Sequence, residues 1–180
     1  MNDITFRPAL AADALCIGVL GTQVFLDTYA TGGIRPSLAR ETLAQMSTAT
    51  VSALLTSPRY RFIVVERDDH MIAFAQLTVD STQKLLPTRP AAELNRLYVQ
   101  EPFTGTGVGS ALLAQAEALA RAEGAHALWL NAWIGNQRAL AFYERRAYRD
   151  IGASIYTFEN EEHENRVFAK SLVDAPPTSP

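Results

Sequence analysis

One cysteine, three histidines and no unbroken apolar run near eighteen residues narrow the options for this chain of 180 residues. A lone Cys16 excludes a disulfide framework and favours a cytoplasmic location. It stands among Leu15, Ile17 and Leu20, where a packed thiol is expected rather than a nucleophile. His70, His126 and His163 are isolated and lack metal-ligand spacing, so no metal site is expected. A formal net charge of −3 leaves no general footprint for nucleic acid. Without a span-length apolar run or the pattern of a signal peptide in Met-Asn-Asp-Ile-Thr, no membrane association is expected.

What is present reads as a globular protein, 48% hydrophobic and 19% charged. The length suits one domain, expected over residues 1–173, and the proline-rich 174–180 reads as a disordered tail. Ile4 to Phe6 predicts a strand stopped by Pro8, and Asp13 can cap a helix through Leu20, with a helical or turning segment from Thr22 to Tyr29. Ser37 opens a helix with Leu38, Thr42, Leu43 and Met46 on a 3.6-residue period. Arg61–Glu66 and Met71–Val79 form a hairpin, and a long loop from Asp80 to Pro90 suggests function. Glu93–Val99 is a strand, and a helix runs through about Glu123 with Val108, Ala111, Leu112, Leu119 and Ala122 as its buried face. Strand 127–131, helix 136–146, strand 148–159 and strand 166–169 complete a mixed sheet flanked by helices, with one crossover unit near the middle.

Gly105, Gly107 and Gly109 alternate between the strand ending Leu97-Tyr98-Val99 and the helix opening at Ser110. Glycines there let successive N–H groups converge, and the helix adds its positive end, so a phosphate or pyrophosphate is the natural occupant. A Walker loop fails for want of lysine after Gly109, and a dinucleotide fingerprint fails because its sixth position is Ser110. A purely structural turn is an equal reading of the loop taken alone. A second cluster follows: Asn131-Ala132-Trp133, then Asn136, Ala139 and Phe142-Tyr143. The last three share one helical face, Phe142 expected to pack inward and Tyr143 to present its phenol.

Together these segments resemble the GCN5-related N-acetyltransferase (GNAT) superfamily, whose loop typically reads Arg/Gln-x-x-Gly-x-Gly/Ala and whose later helix ends Phe-Tyr-x-x-x-Gly-Phe. Thr104 stands where Arg or Gln is usual, and Ala147 where Gly is usual. Val24 to Tyr29, Glu93 to Val99, Trp129 to Trp133 and Ile151 to Ser154 are similar to the bacterial spermidine/spermine N-acetyltransferases of PaiA type. The resemblance implies an α/β (α+β) fold, with a mixed, mostly antiparallel seven-stranded sheet and about four helices, splayed at an acetyl-CoA site. It implies transfer of an acetyl group to a primary amine, with a polyamine such as spermidine as acceptor and no metal. An N-terminal peptide acetyltransferase and a non-catalytic acetyl-CoA-responsive regulator are the alternatives.

On the same footing, Thr104, Gly105, Thr106, Gly107, Val108, Gly109 and Ser110 would hold the pyrophosphate. Leu97, Tyr98 and Val99 would offer backbone groups to the pantetheine arm. Asn131, Asn136, Ala139, Phe142, Tyr143 and Arg145 would complete the cofactor site, Asn136 being equally readable as a helix cap. Tyr143 would serve the departing sulfur and Glu93 would accept the amine's proton. Asp27, Tyr29, Glu93 and Trp133 would face the acceptor, and acidic residues near Glu159, Glu161, Glu162 and Glu164 would attract a polycation. An edge strand or exposed helix allows a homodimer, although no patch in the sequence marks one.

Overall fold

A computed structural model describes residues 4–87, 90–158 and 161–173; Glu159 and the tail 174–180 lie outside them. The strands form a seven-stranded sheet in the order β1-β2-β3-β4-β5-β7-β6. By compactness the chain groups into two units, Met1–Leu77 with Arg96–Ala116 and Thr78–Asn95 with Glu117–Pro180.

In the first unit, β1 (Ile4–Pro8) pairs antiparallel with β2 (Tyr60–Arg67) and reaches Pro8 opposite Ile63. Proline is tolerated because β1 is an edge strand, so the predicted strand runs two residues further than expected. Arg7 donates to both oxygens of Asp13, at 2.7 and 2.9 Å, and to Glu66 at 3.0 Å. That guanidinium holds the Asp13 carboxyl below its usual range. α1 (Ala14–Tyr29) is one continuous helix rather than a helix and a turning segment. Ala14, Ile17 and Leu20 pack with Val51, Phe62, Val64 and Phe74.

Ala11–Tyr29 is long and apolar enough, by length and composition alone, to match a short membrane span. A helix packed into a core passes the same test, and α1 does pack into one. Gly18 allows α1 to cross α2 (Pro36–Met46) closely: a Cβ there would lie 2.4 Å from the Met46 carbonyl oxygen. α3 (Thr48–Thr56) is an element the sequence pattern did not resolve; the Ser47 hydroxyl accepts from Thr50 N–H at 3.1 Å and starts it. Cys16 is exposed, contrary to expectation, because the buried stripe of α1 passes through Ala14, Ile17, Gly18 and Gly21 and turns Cys16 outward with Leu15 and Val19. β2 and β3 (His70–Thr78) read as continuous apolar runs, and Phe62–Val65 and Ile72–Thr78 are buried throughout.

In the second unit, β5 (Ala127–Trp133) pairs along its whole length with β7 (Glu161–Ser171), from Ala127↔Ser171 to Trp133↔Asn165. β7 extends well beyond the predicted 166–169. Its first half pairs with β6 (Arg149–Phe158) as far as Phe158↔Glu161, and exposed positions there leave no apolar alternation to read. β4 (Ala91–Val99) meets β5 in parallel, but the register covers only Ala91↔Ala127, Ala92↔Leu128 and Glu93↔Trp129. Both strands continue past that point while their mutual ladder does not.

α4 (Val108–Ala122) buries Val108, Leu112, Leu113, Ala116, Glu117 and Ala120, whereas Ala111 and Ala122 are exposed and Leu119 is half-buried. The predicted face was rotated, because small alanines occur all around this helix and a glutamate occupies a core position.

Candidate active site

The glycine loop belongs to the first unit. Gly105 and Gly107 adopt φ of +73° and +95°, which a side chain would strain, and open space surrounds the position of a Cβ at each. Gly109 lies inside α4 and needs no such freedom. The Gly107 carbonyl accepts from Ala111 N–H at 3.0 Å, which makes Gly107 the residue that opens the helix. The N–H groups of the first turn, at Val108, Gly109 and Ser110, therefore point out of the helix end with its dipole behind them.

Thr104 is committed elsewhere: its amide and hydroxyl both donate to the Glu101 carbonyl, at 3.1 and 2.9 Å. The Thr106 hydroxyl likewise donates to Phe103 O at 2.7 Å. Both hydroxyls thus brace the turn. Arg67 stands 4.8 Å from the Phe103 ring centroid and brings a cation to this turn, which no sequence signal had marked.

Leu97 and Val99 are half-buried, and the Tyr98 ring packs on the core edge-on to Phe74, 5.4 Å between centroids. Burial pushes the Tyr98 phenol above its usual value. Only its backbone is then suited to a ligand. Asp27 and Tyr29 are exposed on the last turns of α1, with Tyr29 4.6 Å from Phe25.

The remaining candidates belong to the second unit, where the register sorts them by face. Glu93 stands beside Trp129, Trp129 opposite Ala169, Asn131 opposite Val167 and Trp133 opposite Asn165. Directly paired residues share a face, so Glu93, Trp129, Asn131 and Trp133 lie on one side of the sheet. The Ser81 hydroxyl donates to Glu93 Oε2 at 3.4 Å and the Ser154 hydroxyl to Asn131 Oδ1 at 2.8 Å. The loop after β3 covers part of this face through Leu86. Trp133 is half-buried, and Gly135 lies so close to its indole that a Cβ would fall 2.4 Å from the ring.

Tyr143 occupies the opposite face. Its ring is 6.2 Å from Phe168, the residue between Val167 and Ala169 on β7, and 5.7 Å from Tyr148. The expectation for α5 (Gln137–Glu144) is reversed in one respect: Tyr143 is the buried residue, and Phe142 is half-buried under the Arg146 guanidinium, 3.7 Å from its centroid. The helix turns Tyr143 inward because Tyr148 and Phe168 wait there. Asn136 is the cap of α5, its Oδ1 accepting from Ala139 N–H at 3.1 Å. Ala139 is half-buried and Arg145 exposed.

Behind Tyr143 sits a network the sequence reading missed. The Tyr148 hydroxyl donates to Glu117 Oε1 at 3.2 Å, and Lys170 Nζ donates to both Glu117 oxygens at 2.9 and 3.0 Å. Burial, then the Glu117 carboxylate, pushes the Tyr148 phenol far above its usual value, so it stays a neutral donor. A glutamate on the apolar stripe of α4 was the available signal.

α5 ends with Tyr148 N–H returning to Tyr143 O and Ala147 N–H to Glu144 O, both at 3.1 Å. This is a Schellman closure, sealed by the two tyrosine rings. Ala147 holds its left-handed position at φ +64°, where the family has glycine. The exposed Cβ clears solvent but strains the backbone. Ala147→Gly is expected to stabilise the protein by about 1 kcal/mol, a rise of roughly 2–4 °C in Tm by thermal melting; no rise would mean the strain is relieved elsewhere.

The family model described as the acetyltransferase (GNAT) family matches residues 33–148, and this chain belongs to that family. It is an N-acetyltransferase whose acetyl donor is acetyl-CoA. It is 27% identical over 130 residues to an uncharacterized N-acetyltransferase of Mycobacterium tuberculosis, covering 72% of this chain and 79% of the relative. Its fold is similar to the PaiA N-acetyltransferase of Thermoplasma acidophilum solved with coenzyme A, with a TM-score of 0.72, 18% identity and coverage of 94% and 99%. It is also similar to mutant forms of the spermidine/spermine N-acetyltransferase SpeG of Vibrio cholerae, with a TM-score of 0.66, 15% identity and 94% coverage of each chain.

The chain's own residues suit the donor. The open glycine turn and the α4 N-terminus match a diphosphate. Within the first unit, the β4 backbone at Leu97–Val99 could take an extended arm as a strand takes a partner.

Proposed function

We propose that the enzyme acetylates a small primary amine by direct attack on the thioester, and that the amine is a polyamine such as spermidine or spermine. One observation carries the mechanism: the β4–β5 ladder ends immediately after Glu93 and Trp129, with a carboxylate on one face of the sheet and a buried phenol on the other. Bound acetyl-CoA supplies the electrophilic carbonyl carbon and a thiolate leaving group. By the family resemblance, amides of residues 105–110 would hold its diphosphate and the backbone of Leu97–Val99 its arm.

Attack requires a neutral amine, and neutralising an alkylammonium of pKa about 10.4 at pH 7 costs roughly 4–5 kcal/mol. Glu93 takes the ammonium's proton before attack, which frees the nitrogen lone pair, and passes it on to solvent; the N–H proton released once the N–C bond has formed leaves by the same route. Tyr143 donates a hydrogen bond to the sulfur as the C–S bond breaks. Complete transfer from a phenol near 10 to a thiolate near 8.5 is uphill by roughly 2 kcal/mol, so the thiolate is stabilised first and protonated from solvent on release.

The polyamine reading is supported by the resemblance to the PaiA-type group and by exposed acidic residues, Glu162 and Glu164 on β7 and Asp27 on α1. A panel of acceptors, followed by thiol release with a coloured disulfide, tests it. Spermidine and spermine are expected to react at least about tenfold faster, in kcat/KM, than amino acids or peptides. A preference for peptide N-termini overturns the polyamine acceptor and leaves the acetyltransferase in place.

A further inference from the structure

Asn131 is exposed although β5 is an interior strand, with β4 on one side and β7 on the other. Leu130 and Ala132, whose side chains turn to the other face, are buried. The sheet is thus open at Asn131 on the face of Glu93 and closed behind it. From β6 the Ser154 hydroxyl spans β7 and donates to Asn131 Oδ1 at 2.8 Å. Val167, paired with Asn131 on one side and with Gly152 on the other, is buried beside that link.

The link uses one lone pair of Oδ1 and the single hydroxyl proton, so both oxygens keep lone pairs for a further donor. Two neutral acceptors so close together suit a cation with two N–H groups on one nitrogen, a secondary ammonium. Asn131 lies two residues past Trp129, the register partner of Glu93. That is about 7 Å along the sheet and one strand spacing, about 4.8 Å, across it. A polyamine whose terminal nitrogen meets Glu93 carries its next nitrogen a short methylene chain away, within that range.

Glu162 and Glu164 do not share this face. Asn165 pairs with Trp133 and Ser154, so alternation turns Glu164, and Glu162 beyond it, to the opposite side, where Arg166 stands 3.9 Å from Glu164. They attract a polycation through their field and do not line a pocket beside Glu93.

We propose that Asn131 and Ser154 form the subsite for the internal ammonium of a polyamine whose terminal amine reacts beside Glu93; the subsite rests on the polyamine reading of the acceptor. Oδ1 and Oγ accept its N–H groups, and the ammonium keeps its charge. Ser154 also orients, because its hydroxyl fixes which end of the Asn131 amide presents oxygen to the cation. A methylene in place of that nitrogen would cover both oxygens and offer no donor, which is how a polar site rejects an apolar analogue.

Spermidine and α,ω-diaminooctane have skeletons of equal length and differ only at that internal position. The full-length wild-type enzyme with acetyl-CoA is expected to prefer spermidine by about tenfold in kcat/KM, with the difference carried by KM. Ser154→Ala and Asn131→Leu are each expected to remove most of that preference, whereas Ser154→Thr, which keeps the hydroxyl, retains it. Calorimetry of spermidine with the coenzyme A-loaded protein is expected to rank the variants in the same order. A wild-type enzyme that treats the two amines alike overturns the subsite whether or not the variants fold. A Ser154→Ala or Asn131→Leu enzyme that still prefers spermidine overturns it too, and in both cases spermidine turnover leaves the polyamine reading standing. Faster reaction with peptides than with either amine overturns that reading, and the subsite with it.

Discussion

Tyr143→Phe is expected to lower kcat about a hundredfold while acetyl-CoA affinity stays within about twofold of wild type. The ring keeps its place, because the contacts to Tyr148 and Phe168 are made by ring faces and edges that phenylalanine reproduces. In the proposed mechanism the variant loses one donor to charge that exists only as the C–S bond breaks, so the change is expected in turnover and not in ground-state binding. Steady-state kinetics at saturating amine, with acetyl-CoA binding followed by calorimetry, separate the two. A wild-type kcat would remove the phenol from the mechanism. A loss of acetyl-CoA binding would instead place Tyr143 among the groups that grip the donor.

Lys170→Met has the largest expected effect on stability. Glu117 retains 10% of its side-chain exposure and Lys170 26%, so removing the ammonium leaves a withdrawn carboxylate that accepts, among the described residues, from the Tyr148 hydroxyl. Losing one partner of such a pair costs about 3 kcal/mol, or roughly 6–12 °C in Tm for a protein of this size. The double variant Glu117→Gln with Lys170→Met is expected to recover most of that loss, because a neutral amide still accepts from Tyr148 and leaves no uncompensated charge. Denaturant melts of the single and double variants check this. Equal losses in both would mean that Lys170 contributes through the packing of its stem and not through its charge.

Ala147 shows how motif and geometry can separate. The motif expects glycine because the closure of α5 requires a left-handed residue, and the chain takes that conformation with alanine. The departure therefore costs stability and leaves Tyr143 where the closure puts it. Thr104 differs, since it replaces a side chain able to reach an anion and turns its own donors to Glu101. The diphosphate contacts proposed for the loop therefore fall to its backbone amides.

Local chemistry was enough for the glycine turn, the strand before it, the helix after it and the Asn136 cap, because these depend on backbone freedom, propensity and orphaned N–H groups of neighbouring residues. The roles expected of Glu93 and Tyr143 came from the family resemblance and not from local chemistry. Only the tertiary structure decided which way they face. The inward turn of Tyr143 rather than Phe142 depends on Phe168, and the burial of Glu117 depends on Lys170, 53 residues away. The opposite faces of Glu93 and Tyr143 follow from strand register, and a register shift of one residue exchanges every face. The partners of Trp129 likewise come from β4, β7 and the loop after β3, which meet it only when the sheet is assembled.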